Sequence, residues 1–304
     1  MSMCNHVREN LCFSALSWEH KELFDRVLKD DHPQISEFTF TNLFSWRNSY
    51  TFEVSLFEQA LLVRSLQDAS IRYFPPIGAS DPAAVIRQVL TRSPGVFVRV
   101  PEVMAAFFIN DTDFHVTEDP DNFDYVYLRE DLVSLPGRKY DGKRNLIKNC
   151  MVGQAVVYEQ ITSAQSTTIL SFEQSWCEIK DCDHVLGLAH ERAALQEIVA
   201  HFAKLPLRAA CLSIAGQVKA LIIAEALNPQ TVVIHILKAD PAITGSYQVM
   251  LHEFLKRDAS DFVYVNMEQD LGIAGLRKAK QSYHPCSMVK KYTIQLKANS
   301  SDGR

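Results

Sequence analysis

Residues Ala209–Leu237 read AACLSIAGQVKALIIAEALNPQTVVIHIL, three apolar runs separated by two turn signals. The runs Ala209–Ile214, Lys219–Ala226 and Thr231–Leu237 are aliphatic, partly β-branched and short, which fits strands rather than helices. Gly216-Gln217 and Asn228-Pro229 punctuate them, so the stretch predicts three antiparallel strands. Upstream, Leu188, Leu195, Ile198, Val199, Phe202 and Leu205 recur at helical spacing as far as Pro206, which ends the helix. Downstream, Asp240-Pro241 and Gly245 make a loop. Tyr247 to Arg257 then predicts a helix that buries Tyr247, Met250, Leu251, Phe254 and Leu255. A strand at Phe262 to Val265, a short basic helix at Gly275 to Gln281 and an alternating strand at Met288 to Leu296 complete the order. Helix, three strands, helix, strand, helix, strand predicts an α+β fold.

Parts of this order are echoed nearer the start. Val54 to Arg64 (VSLFEQALLVR) matches Leu212 to Ile222 (LSIAGQVKALI) as a hairpin, with Glu58-Gln59 as its turn. Asp124 to Leu132 (DYVYLREDL) matches Asp261 to Leu271 (DFVYVNMEQDL), each followed by a glycine and basic residues. Trp18 stands ahead of the helix around Lys21, as Trp176 stands ahead of Glu178 to Lys180. Two related mixed-sheet domains, 1–163 and 164–304, are therefore expected.

Composition narrows the class. The 304 residues are 47% apolar and 22% charged, which is globular and excludes disorder or a coiled coil as the main architecture. The longest apolar candidate, Val96 to Ile109, is broken by Arg99 and Glu102, so no membrane span is expected. A net charge of -5 argues against general nucleic-acid binding. That charge is uneven: eight acids stand against Arg129 between Asn110 and Asp131, and five bases without an acid between Arg277 and Lys291. Seven cysteines and no export signal point to a reducing cytoplasm. Cys177, Cys182 and His184 match no zinc spacing, and no metal is expected.

The element order resembles the acyltransferase fold called GNAT (Gcn5-related N-acetyltransferase). In that fold a strand-to-helix loop binds the pyrophosphate of coenzyme A through backbone N–H groups. The corresponding loops here, Asp240 to Ser246 and Phe74 to Ser80, carry one glycine each. Three segments carry a closer resemblance: Tyr73-Phe-Pro-Pro-Ile-Gly78, Tyr140-Asp-Gly-Lys-Arg-Asn145-Leu-Ile-Lys148, and Asn266-Met-Glu-Gln-Asp-Leu-Gly-Ile-Ala-Gly275-Leu-Arg-Lys-Ala-Lys280 through Tyr283-His-Pro285. Over about residues 20–295 the chain resembles the bacterial family related to the C-terminal domain of phosphatidylglycerol lysyltransferase. The resemblance implies a tandem GNAT-like fold similar to the Fem aminoacyl ligases, with aminoacyl-tRNA as donor. The expected function is acyl or aminoacyl transfer to an amine or hydroxyl, from aminoacyl-tRNA or from acyl-CoA. The competing class is a non-catalytic ligand-binding or sensor protein.

Such a transfer needs a proton acceptor, a seat for the acceptor and cations for the donor's phosphates. Glu268 and Asp270, just past a strand end, and Tyr283 are the catalytic candidates; Asn266 and His284 are the substrate-binding ones. Asp270 equally suits a turn cap, and Glu268 an ion pair with Arg277 or Lys278. Lys143, Arg144, Lys148, Arg277, Lys278 and Lys280 are the donor-binding candidates, expected on two basic helices, one from each half, lining a groove between domains. His235 alternates with Val233 and Leu237 and reads as a core histidine.

Overall fold

The computed structural model describes residues 11–66, 70–153, 155–180 and 184–297. The chain begins with β1 (Ser14–Ala15), α1 (Lys21–Asp31), α2 (Phe40–Tyr50), β2 (Phe52–Phe57), β3 (Ala60–Ser65) and β4 (Arg72–Tyr73). Then come α3 (Pro82–Arg92), β5 (Val96–Pro101), α4 (Glu102–Ala105), β6 (Phe114–Glu118), β7 (Asp124–Leu128), α5 (Arg129–Ser134) and α6 (Asp141–Met151). The next stretch holds β8 (Val156–Gln160), α7 (Thr167–Lys180), α8 (Leu186–His201), β9 (Leu207–Ile214), β10 (Gln217–Asn228) and β11 (Thr231–Ala239). It ends with α9 (Ser246–Arg257), β12 (Tyr264–Asn266), α10 (Ala274–Gln281), β13 (Ser287–Val289) and β14 (Lys291–Leu296). No helix among the described residues is long and apolar enough to cross a membrane.

The described residues form two seven-stranded sheets, β1-β2-β3-β4-β5-β14-β6 and β8-β9-β10-β11-β12-β7-β13. Both follow the order 1-2-3-4-5-7-6, and in both the seventh place is taken by a strand from the other half of the chain. The halves have exchanged their last strands. One compact unit accordingly ends at Phe123 and takes back the chain from Val289, while the other is Asp124–Met288. This differs from the division expected at residue 163. The final strand expected over 288–296 is two strands, β13 in the second sheet and β14 in the first.

The exchange also sorts the sequence echoes. The hairpins β2–β3 and β9–β10 hold the same place in their sheets. The second pair of look-alikes does not: β7 fills the seventh place and β12 the fifth, and they lie side by side with Val265 opposite Tyr127. Their likeness reflects two strands that need the same buried character in one sheet. Trp176 sits inside α7 rather than ahead of it.

In the second unit, Ala220, Leu221, Ile222, Ile223 and Ala224 of β10 are all fully buried. Ala220, Ile222 and Ala224 pack with Val249, Met250 and Phe254 of α9. Leu221 and Ile223 pack on the opposite face with Ile169 and Phe172 of α7 and Leu195 and Ile198 of α8. Helices on both faces explain the continuous apolar run where a one-sided sheet would alternate. Each of the leucine, isoleucine, valine, methionine and phenylalanine side chains among them is worth about 1.5–3 kcal/mol in burial. In the first unit the exchanged β14 contributes Ile294 to the core with Leu62, Ile86 and Phe97. It also contributes Lys291, fully buried and 2.7 Å from Glu37.

Candidate functional site

The second sheet opens where its parallel pair stops. β11 and β12 run together over Val232↔Val265 and Val233↔Asn266; β12 then ends while β11 continues to Ala239. Just past that point β11 carries a bulge: Ile223 of β10 faces Ile236 and Ala224 faces Ile234, leaving His235 without a ladder partner. Bulges re-aim side chains and recur beside functional sites. Here the bulge turns the His235 ring between two carboxylates. Nε2 lies 2.8 Å from Glu225 Oε1 and Nδ1 lies 2.9 Å from Glu268 Oε1. Burial disfavours the charged ring, but hydrogen bonds to Glu225 and Glu268 outweigh it and push the pKa up to about 10. His235 is thus an imidazolium donating from both nitrogens. The same bulge explains why it reads as a core residue in sequence. Val232 and Ile234 join one core, and so do Leu237 and Ala239, so the parity of the strand changes across His235.

Glu268 is held by the turn that follows β12. Its backbone has a φ of 56°, the left-handed region, and its N–H donates to Asn266 Oδ1 at 2.8 Å. Asn266 is fully buried, and its Nδ2 donates to Asp124 Oδ2 at 3.1 Å. Asn266 therefore shapes the Glu268 turn from inside the fold. Burial raises the Glu268 pKa against the pull of His235 and Lys280, and the side chain stays 22% exposed. A carboxyl with a raised pKa at an open edge holds a proton more readily than an ordinary carboxylate, as a general base must.

Asp270 has different surroundings. It is 1% exposed and its two oxygens accept from Tyr125 Oη (2.6 Å), the Gly272 N–H (2.8 Å) and Arg277 Nε and Nη2 (2.9 Å each). The Arg277 hydrogen bonds, helped by those from Tyr125 and Gly272, hold its pKa near 2 against burial. It caps the turn before α10 and is unsuited to accept a proton at neutral pH. Arg277 is occupied by the same clamp, and Lys280 Nζ donates to the carbonyls of Met267 (2.6 Å) and Gln269.

The remaining cations lie elsewhere on the same unit. α6 and α10 both belong to Asp124–Met288, so the expectation of one basic helix from each half is corrected: the strand exchange carries 124–163 into the second unit. Lys143 Nζ donates to Ser282 Oγ at 2.7 Å and lies 3.9 Å from the centre of the Tyr283 ring. Burial lowers its pKa, and no carboxylate pairs with it among the described residues. Lys148 and Lys278 are exposed. Arg144 folds back on the carbonyls of Leu135 and Gly137 and on Asp141. Tyr283 is 5% exposed; its carbonyl accepts from Tyr140 Oη at 2.8 Å, and no well-formed hydrogen bond reaches its hydroxyl, which the Gln248 side chain approaches. His284 is exposed, lies edge-on to Tyr140 at 5.3 Å, and its Nε2 is 3.4 Å from the Lys139 carbonyl.

The structure thus places Asn266 and Glu268 together at the sheet opening, and Lys143, Tyr283 and His284 together beside α6. Asp270 and Arg277 are joined to each other. Glu225 and His235 complete the opening: His235 is buried and satisfied, as its core reading expects, and a glutamate inside a continuous apolar strand is the sequence signal of Glu225. Cys182 of the Cys177, Cys182, His184 cluster lies outside the described residues.

Neither strand-to-helix loop presents an open row of donors. At Gly245 (φ 93°), which precedes α9, an added Cβ would stand 2.3 Å from the Leu146 carbonyl oxygen, so α6 lies directly on this loop. In the first unit the Gly78 N–H is taken by Asp31 Oδ1 at 2.8 Å, and Val27 lies 2.6 Å from where its Cβ would be.

The family described as "Phosphatidylglycerol lysyltransferase, C-terminal" matches residues 31–295. The chain belongs to that family. A conserved protein of unknown function from Bacteroides thetaiotaomicron VPI-5482 is similar over 95% of this chain and 100% of its own, with 30% identity and a TM-score of 0.88. The structure of L-PGS from Bacillus licheniformis shares the fold at 13% identity over 92% of this chain and 93% of its own (TM-score 0.65). FemX shares it at 6% identity over 94% and 98% (TM-score 0.61). An uncharacterized protein of Mycoplasmoides gallisepticum is 23% identical over 173 residues, spanning 57% of this chain and 56% of that relative. The fold is a tandem GNAT-like one.

Proposed function

We propose that this protein, a member of the lysyltransferase C-terminal family, transfers an aminoacyl group from aminoacyl-tRNA to an amine or hydroxyl, in the cytoplasm where that donor is made. The observation that carries the reading is the pair of occupied strand-to-helix loops. Coenzyme A needs free N–H groups at a helix start, and here α6 covers one loop and Asp31 fills the other. Lys143, Lys148 and Lys278 instead offer cations suited to the phosphates of a tRNA end. His284, which is exposed, is proposed to touch the substrates, and Asn266, buried beneath the turn, to hold Glu268 in place. Glu268 is the proposed base. Its carboxylate takes the proton from the acceptor as the acceptor's lone pair attacks the ester carbonyl. The ester C–O bond then breaks, and the same proton passes to the departing ribose oxygen.

Binding and transfer are tested separately. Aminoacyl-tRNA binding is expected to weaken steeply between 50 and 200 mM salt, and K143A/K148A/K278A to reduce the salt slope by roughly two. E268Q is expected to lower transfer by about 10²–10⁴-fold while binding persists. A melting-point increase with acetyl-CoA, and none with aminoacyl-tRNA, overturns the donor assignment. Binding without transfer by the unaltered protein favours the non-catalytic class.

A further inference from the structure

We propose that Glu225 is a positioning residue for Glu268 and acts through His235, fixing the imidazole as a double donor that gives one N–H to the carboxylate at the sheet opening. The proposal rests on the transfer reading only for the task of Glu268. The arrangement itself stands on geometry. Both ring nitrogens lie at hydrogen-bond distance from a carboxylate oxygen, 2.8 and 2.9 Å. Where both carboxylates are ionised they can only accept, and the ring then donates from both nitrogens.

Burial falls off in one direction along the line. The side chains of Glu225, His235 and Glu268 are 3%, 6% and 22% exposed. The inner carboxylate is therefore remote from solvent, while the outer one meets it. The groups come from separate elements: Glu225 from β10, His235 from the bulge in β11, and Glu268 from the turn after β12. Asp124 of β7 and Lys280 of α10 also act on Glu268, so three carboxylates face two cations. A buried carboxylate between Ala224 and Ala226 of a core strand contributes nothing to packing that an apolar residue would not supply better. Its effect is electrostatic: it keeps the ring charged and oriented, as a carboxylate orients a ring through the nitrogen not in use. Without Glu225 the ring can lose a proton at mildly alkaline pH and leave Glu268 without its cationic partner.

The test uses the full-length protein and needs no substrate. Nitrogen NMR of the imidazoles, with carboxyl carbon shifts for Glu268, is recorded from pH 5 to 11. In the unaltered protein His235 is expected to stay doubly protonated to beyond pH 9. E225Q is expected to lower its midpoint by about 1–3 units, and E225D, which keeps the charge, to restore most of that. If the unaltered His235 titrates near its ordinary value, or if E225Q leaves the midpoint in place, the proposal is overturned. The first of these outcomes does not depend on any variant folding. Where transfer is measured, E225Q should move the alkaline limb of the pH–rate profile down with the His235 midpoint, whereas a merely structural glutamate would lower the amplitude and leave the limb where it was. Expected titrations in a protein that transfers nothing would refute the transfer reading while upholding this assignment.

Discussion

At the residue scale, two acids two positions apart behave in opposite ways because of what each touches. Glu268 faces a ring at an open edge; Asp270 is closed in by Tyr125, Gly272 and Arg277. Sequence shows both as carboxylates past a strand end, and only the hydrogen bonds separate them. The Asp270 carboxyl titrates near 2 when folded and near 4 when unfolded. Its contribution to stability is therefore present above pH 4 and is lost as pH falls through 2. Solvent around the 40%-exposed Arg277 reduces that contribution to about 1–2 kcal/mol. We predict that D270N destabilises the second unit by about 2–4 kcal/mol at pH 7, because it leaves the Arg277 fork without its anion. The decline in stability between pH 4 and 2 should also flatten in the variant. Urea unfolding across that pH range measures both effects. An acid limb as steep as in the unaltered protein would show that Asp270 is not the titrating group.

At the scale of elements, the hairpins, the long helix before Pro206 and the helix after Gly245 were legible because their signals are local: periodicity, glycine and proline. The bulge in β11 was not, since an extra residue in a strand leaves no local mark and the apparent alternation around His235 points the wrong way. Nor was the approach of α6 to the start of α9, which joins positions about a hundred residues apart. Gly245 is the one readable trace of it. At φ 93°, with the Leu146 carbonyl oxygen and Cys150 Cβ at 2.3 and 2.9 Å from an added Cβ, only glycine fits. We predict that G245A costs roughly 2–4 kcal/mol, from left-handed backbone strain and displacement of α6. Cys150, 2% exposed at present, should then react with a thiol reagent at least about tenfold faster, because local opening governs access to a buried group. Unchanged Cys150 labelling would mean that α6 accommodates the methyl without lifting from α9.

For the whole molecule, the length and internal echoes predict two related halves, and two sheets of identical order are present. The cut at residue 163 follows from treating the halves as consecutive, which is the ordinary expectation when chain neighbours pack together. The exchange of β7 and β14 breaks that assumption, and no residue announces it. Its consequence is specific. A fragment 164–304 lacks both β7 and β8, so the second sheet would lose the central partner of β12 and an edge strand next to β9. It would also carry β14 with no sheet to join. Buried β12 residues such as Val265 and Asn266 would meet water, and the Asn266 amide would lose Asp124. The fragment 124–288 keeps β7 to β12 whole, β13 but for its last residue, and both helical layers. We therefore predict that 124–288 folds alone, with dispersed NMR resonances and a cooperative urea transition, while 164–304 remains unfolded or aggregates. Since Glu225, His235, Glu268, Lys143 and Tyr283 all lie in 124–288, the His235 titration should also survive in that fragment. Cooperative folding of 164–304 would place the structural boundary back at residue 163 and would mean that β7 is dispensable to the sheet that carries the site.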